Sequence, residues 1–176
     1  MSFLRNKKES DCINDLVIAD LDPFYDERGE IWTLFDQNDW DTVFLEDKLS
    51  ISSENILRGL HGDKLTHKLI SCLSGKFFLV VVDARENSDT YGNVVNLIVD
   101  SESPKVIFVP AGCLNGHLSL TKQCIFWYKW SENYKGPENQ VTCRWDDKKL
   151  DVDWPCKNPI LSERDKNGLD FEKIKL

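Results

Sequence analysis

Short apolar runs alternate with turn residues along nearly the whole chain. Lys76-Phe77-Phe78-Leu79-Val80-Val81-Val82-Asp83 is almost continuously apolar, the pattern of a strand covered on both faces. Gly29-Glu30-Ile31-Trp32-Thr33-Leu34-Phe35 alternates and predicts a half-buried strand. Val94–Val99, Lys105–Val109 and Cys124–Lys129 continue the series. Ser74-Gly75, Tyr91-Gly92-Asn93, Ser103-Pro104 and Lys135-Gly136-Pro137 supply turn chemistry between them. Helical signals are confined to a short piece near Gln37 to Thr42 and to the charged C-terminal tail. Without repeats, low-complexity blocks or a linker, the pattern predicts one all-β domain over residues 1–176, a sandwich or barrel.

Composition narrows the function. A chain of 176 residues with 41% hydrophobic and 30% charged positions can bury a core and has the balance of a soluble globular protein. A net charge of −8 argues against a general nucleic-acid binder, which needs a basic surface. It still permits a small anionic ligand, because a few cations can gather in one cleft. No apolar run approaches the roughly eighteen residues of a membrane span. Met1–Lys8 lacks the apolar core of a secretory signal, so a cytoplasmic protein is expected. Cys12, Cys72, Cys113, Cys124, Cys143 and Cys156 are scattered without a CxxC pair, which predicts reduced thiols and no zinc site.

The chemistry concentrates around Arg58-Gly59-Leu60-His61 and, seven residues beyond His61, Lys68 in His67-Lys68-Leu69-Ile70. That spacing puts a base and a cation on neighbouring strands or within one strand-turn unit. Taken singly, His61 is a structural histidine as readily as a base, and Lys68 an outward solvated lysine.

Together with Asp26-Glu27-Arg28-Gly29, Asp83-Ala84-Arg85, Ser88-Asp89-Thr90-Tyr91-Gly92, Pro110-Ala111-Gly112, Tyr128-Lys129, Trp145-Asp146-Asp147, Trp154-Pro155 and Leu161-Ser162-Glu163-Arg164-Asp165, this stretch resembles the sugar-nucleotide 3,5-epimerases of the cupin class over roughly residues 16–166. The resemblance implies a cupin jelly roll (a double-stranded β-helix) with short peripheral helices. It implies His61 as the base, oriented by Asp165, with Tyr128 as the acid on the opposite face and Lys68 beside the sugar ketone. These roles suit the chemistry. A proton next to a ketone is acidic because the carbanion delocalises to an enolate, which calls for a base, an acid and positive charge at the oxygen.

The resemblance further implies diphosphate contacts from Arg28 and Arg58, nucleotide contacts from Lys48 where relatives have a neutral amide, and Tyr134 stacking on the base. It implies no metal and no organic cofactor. Relatives pair as homodimers by exchanging N-terminal strands, which would bring Arg28 to the partner's site.

The chain departs from the rhamnose-pathway pattern at three positions. Asn115 stands where a histidine is usual, His117 where an aromatic is usual, and Leu79 where an aspartate is expected. The segments Gly29–Thr33, Arg58–Asp63 and Asn115–His117 are more similar to a branch that epimerises GDP-linked 4-keto heptoses for capsular polysaccharide. The leading expectation is therefore a GDP-heptose 3- or 3,5-epimerase, with a dTDP-4-keto-6-deoxyglucose 3,5-epimerase of rhamnose synthesis as the alternative.

Three other readings compete. A nucleotide-sugar 3,4-ketoisomerase would use neighbouring histidines, such as His61 and His67. A metal-dependent cupin oxygenase would need convergent ligands such as His61, His67 and His117, yet the chain has no His-x-His. A sugar-binding cupin without catalysis would keep the arginines and lose the base and acid.

Overall fold

The computed structural model describes residues 3–176. Its strands, in chain order, are β1 (Leu4–Glu9), β2 (Val17–Leu21), β3 (Phe24–Asp26), β4 (Gly29–Ile31), β5 (Glu46–Ser52), β6 (Leu57–Gly62) and β7 (Lys68–Ser74). They continue with β8 (Lys76–Asp83), β9 (Val94–Asp100), β10 (Lys105–Val109), β11 (Cys113–Ser119), β12 (Cys124–Trp130) and β13 (Val141–Thr142). A single short helix, α1 (Glu163–Lys166), and three 3₁₀ turns complete the described elements.

One sheet runs β1-β2-β10-β7-β12-β5 and a second β13-β6-β11-β8-β9, while β3 and β4 form a separate hairpin. The two large sheets face each other as a cupin jelly roll. Ile70, Cys72, Ile107 and Phe126 from the first sheet meet Phe77, Leu79, Val81 and Val99 from the second in a sealed core. Burial of side chains of this kind contributes about 1.5–3 kcal/mol each.

Both sheets are also covered on their outer faces. Segment 143–176 lays Leu150, Trp154, Phe171 and Ile174 over Leu57, Leu60, Val80, Val82 and Leu114. The other sheet buries Leu69, Val106 and Trp127 beneath Leu34, Phe35, Trp40 and Phe44. This explains the one strand that the alternation over residues 29–35 overextends: β4 ends at Ile31. From there the chain leaves its hairpin partner and packs Leu34 and Phe35 downward as cover. The helical signal near Gln37 proves to be a 3₁₀ turn, Gln37–Asp39, with Asp36 accepting from the Asn38 N–H.

A bulge in β6 positions the site. Along β11, Asn115 pairs with His61 and His117 with Arg58, so two residues of β6, Gly59 and Leu60, oppose one of β11, Gly116. A regular strand would send Arg58 and His61 to opposite faces. The extra residue brings both to the same one. Gly59 makes this possible with φ +125°, a region that side chains rarely adopt, and a Cβ there would lie 2.8 Å from the Asn115 carbonyl oxygen. Gly59→Ala should therefore cost at least about 1–3 kcal/mol from backbone strain alone. The check is urea unfolding, where the midpoint is expected to drop; an unchanged midpoint would mean that the bulge tolerates a side chain.

Candidate active site

A cavity of about 580 Å³ opens at one end of the jelly roll, a size suited to a small ligand. Period two along β12 directs Phe126, Tyr128 and Trp130 into it, and the strand register sets Lys48 and Ile70 beside Tyr128 and Lys68 beside Trp130. The opposing sheet contributes Arg58, His61, Asn115 and His117. Residues 160–165 close the side. Leu57 N–H donates to the Ile160 carbonyl at 3.0 Å, and Ile160 N–H to the Asn55 carbonyl at 2.8 Å. This tether carries Asp165, 104 residues away in sequence, beneath His61.

His61 Nε2 lies 2.6 Å from Asp165 Oδ1, and the Asp165 side chain is 4% exposed. An ionised carboxylate can only accept, so the imidazole proton sits on Nε2 and Nδ1 keeps its lone pair. Burial pushes the His61 pKa below its ordinary value, against the upward pull of Asp165, and the ring is neutral at neutral pH. The Asp165 pKa is lowered despite burial, by its bonds to His61 and Ser162.

Lys68 comes from the opposite sheet. His61 and Lys68 therefore face each other across the interior on consecutive strands of different sheets, rather than lying side by side as their spacing suggests. Lys68 Nζ donates to Asn115 Oδ1 at 2.6 Å and to the His61 carbonyl at 3.2 Å, and lies 5.5 Å from the Trp130 ring centroid. Burial brings its pKa down to about 8. Asn115 thus fills the usual histidine position as the acceptor for this ammonium. Tyr128 stands on the same wall as Lys68, across from His61, and burial raises its phenol pKa, so the group is protonated at neutral pH.

Four cations line the cavity (Lys48, Arg58, Lys68 and Arg164) against one carboxylate, Asp165. An acidic chain has gathered positive charge where an anion would enter. Arg58 Nε donates to Ser52 Oγ at 3.2 Å. Lys48 forms an ion pair with Glu46 and lies 4.7 Å from the Trp130 centroid and 5.5 Å from that of Tyr134.

His117 belongs to the cavity floor and is 4% exposed. Its ring stacks on Phe126 at 3.9 Å, and burial drives its pKa to about 3, so it is a neutral aromatic wall. Leu79, its register partner on β8, is sealed in the core.

Of the ten residues expected at the site, nine line this cavity; Arg28 is not among the lining residues. It sits in the turn of the β3–β4 hairpin, with its side chain 78% exposed and paired with Asp26. His67 is also absent from the lining: it stacks on Phe108 at 5.3 Å, and its Nδ1 accepts from the Ala111 N–H at 3.2 Å. The histidine pair of a ketoisomerase is thus not assembled. Among the described residues, no cluster of three or more His, Cys, Asp or Glu side chains could hold a metal, and no helix is long and apolar enough to cross a membrane.

Sequence reasoning missed Trp130, Gln140, Ser162 and Arg164 as lining residues. Trp130 was within reach, two positions beyond Tyr128 on one strand face. Arg164 adjoins Asp165; its Nε donates to Thr142 Oγ1 at 2.7 Å, while Nη2 is buried without a hydrogen-bond partner.

The family model for dTDP-4-dehydrorhamnose 3,5-epimerase matches residues 10–173. The chain belongs to the dTDP-4-dehydrorhamnose 3,5-epimerase family. It is an isomerase-class enzyme, a 3,5-epimerase of nucleotide-linked 4-keto sugars. The family's enzyme from Escherichia coli is 34% identical over 172 residues, covering 92% of each chain. That of Methanothermobacter thermautotrophicus is 34% identical over 165 residues, covering 88% of this chain and 89% of its own. The crystal structure of dTDP-6-deoxy-D-glucose-3,5-epimerase from Legionella pneumophila, in complex with dTDP-4-keto-L-rhamnose, superposes with a TM-score of 0.90 at 30% identity. It covers 97% of this chain and 94% of that one. The relatives bear dTDP-sugar names, so the expected closeness to GDP-heptose epimerases gives way to the dTDP-sugar reading.

Proposed function

We propose that this family member inverts carbons 3 and 5 of a dTDP-linked 4-keto-6-deoxy sugar through an enolate. The observation that carries the reading is one cavity in which the His61–Asp165 pair and the Tyr128 phenol occupy opposite walls, with the Lys68 ammonium between the sheets. His61 Nδ1 takes the proton beside the ketone. Lys68 stabilises negative charge as it develops on the ketone oxygen, and Tyr128 returns a proton from the other face. Inversion follows because base and acid stand on different sheets. The substrate's own ketone is the electron sink, so the mechanism calls on no metal or organic cofactor. Arg58, Lys48 and Arg164 receive the diphosphate, and Tyr134 at the cavity mouth offers its face to the base.

Tyr128→Phe separates the two half-reactions. It should lower inversion by about 10²-fold or more, while deuterium exchange at the abstracted position falls much less. Equal loss of both would remove Tyr128 from the acid role.

A GDP-4-keto-heptose is the second reading, favoured by Asn115 and His117 in place of the usual histidine and aromatic. Turnover measured on dTDP-4-keto-6-deoxyglucose and on a GDP-4-keto-heptose decides between them. The proposal expects kcat/KM at least about tenfold higher on the dTDP sugar, a difference of about 1.4 kcal/mol. Preference for the GDP sugar would transfer the reading to the heptose.

We further propose a homodimer. Phe24, Tyr25 and Ile31 are 61%, 66% and 62% exposed on the hairpin that carries Arg28. A second copy covering them would bring Arg28 within reach of a neighbouring cavity.

A further inference from the structure

Asp165 reaches His61 from α1, whose four residues are too few to hold a helix by their own ladder. The support comes from Ser162. It occupies the N-cap with φ −71° and ψ 161°, and its Oγ accepts from the Asp165 N–H at 3.2 Å. The same hydroxyl donates to Asp165 Oδ2 at 2.8 Å, leaving Oδ1 for His61 at 2.6 Å.

This is a capping box with its return bond diverted. In the ordinary motif the acidic side chain three residues on reaches back to the backbone N–H of the cap. Here that carboxylate bonds the cap's hydroxyl and the imidazole instead, one oxygen to each. Two bonds to one hydroxyl hold both the backbone and the side chain of Asp165. Plain helix capping would need only the first.

We propose that Ser162 is a positioning residue of the epimerase: its hydroxyl fixes the Asp165 carboxylate, and through it the tautomer and direction of His61. The proposal rests on the functional reading above for its kinetic consequence only; the hydrogen-bonded chain stands without it.

Three variants separate positioning from capping. Ser162→Gly removes the hydroxyl but keeps most of the N-cap preference, Ser162→Ala removes both, and Ser162→Thr keeps both bonds. Glycine and alanine variants should lose about tenfold or more in kcat, with KM for dTDP-4-keto-6-deoxyglucose within about twofold, and threonine should restore most of the rate. The second readout needs no substrate. The downfield proton NMR signal of His61 Nε2–H, assigned by its absence in His61→Asn, should persist in Ser162→Thr and broaden or vanish in Ser162→Gly. An intact downfield signal in Ser162→Gly overturns the proposal, and so does unchanged kcat in a folded Ser162→Gly enzyme. If no sugar were turned over, the functional reading would fail, and the NMR comparison would still decide the role of Ser162.

Discussion

His61→Asn should abolish proton exchange at both ring carbons, with a loss of at least about 10³-fold, while the protein still folds. General base catalysis contributes about 10²–10⁴-fold. Here one imidazole serves both abstractions, so no second group takes over. Asparagine is shorter and places its amide near the imidazole Nδ1, but the Ser162 hydroxyl still donates to Asp165 at 2.8 Å, so the buried carboxylate is not orphaned. Deuterium incorporation followed by NMR measures the rate, and the urea midpoint checks the fold. Retention of near wild-type turnover would remove His61 from the mechanism.

The second large effect lies at Lys68. Its ammonium is buried, 4% exposed, and held by Asn115 and the His61 carbonyl, so it needs no reorganisation when charge develops on the ketone oxygen. Losing such a preorganised donor costs about 10²–10³-fold in kcat. Lys68→Met, of similar length and neutral, should show that loss.

The pH profile supplies the independent check. His61 acts neutral, and burial lowers its pKa from the ordinary value, so activity rises with pH below about 6.5 and has reached its plateau at neutrality. Lys68 acts protonated with a pKa of about 8, so activity falls as pH climbs through that region. The alkaline limb near 8 should disappear in Lys68→Met, leaving a lower and flatter curve. A wild-type profile flat to pH 10 would contradict a required ammonium at Lys68.

Much of this architecture is legible in the residues. The continuous run over Lys76–Asp83 becomes β8, buried on both faces, and Lys105–Val109 becomes β10 with the bounds its pattern suggests. The resemblance brought nine of ten candidate residues into one cavity because its motifs sit on paired strands whose register is set by the core. What escaped depends on geometry that no period encodes. Arg58 and His61 share a face only through the bulge at Gly59. The Gly29–Phe35 alternation reads as one strand, yet its second half serves as cover for the outer core. Lys68 looks like a solvated strand lysine until the opposite sheet supplies its acceptors. Ser162 carries a visible capping pattern, but only the fold shows the carboxylate turned toward His61.

The central claim is that one base–enolate–acid cycle operates next to a ketone that survives the reaction. Its most direct test is to incubate the protein with dTDP-4-keto-6-deoxyglucose in deuterated water and follow each ring proton by NMR. The account predicts deuterium at carbons 3 and 5, with the 4-ketone retained and inverted product accumulating. Migration of the ketone to carbon 3, or protons at both carbons unexchanged after prolonged incubation, would contradict it.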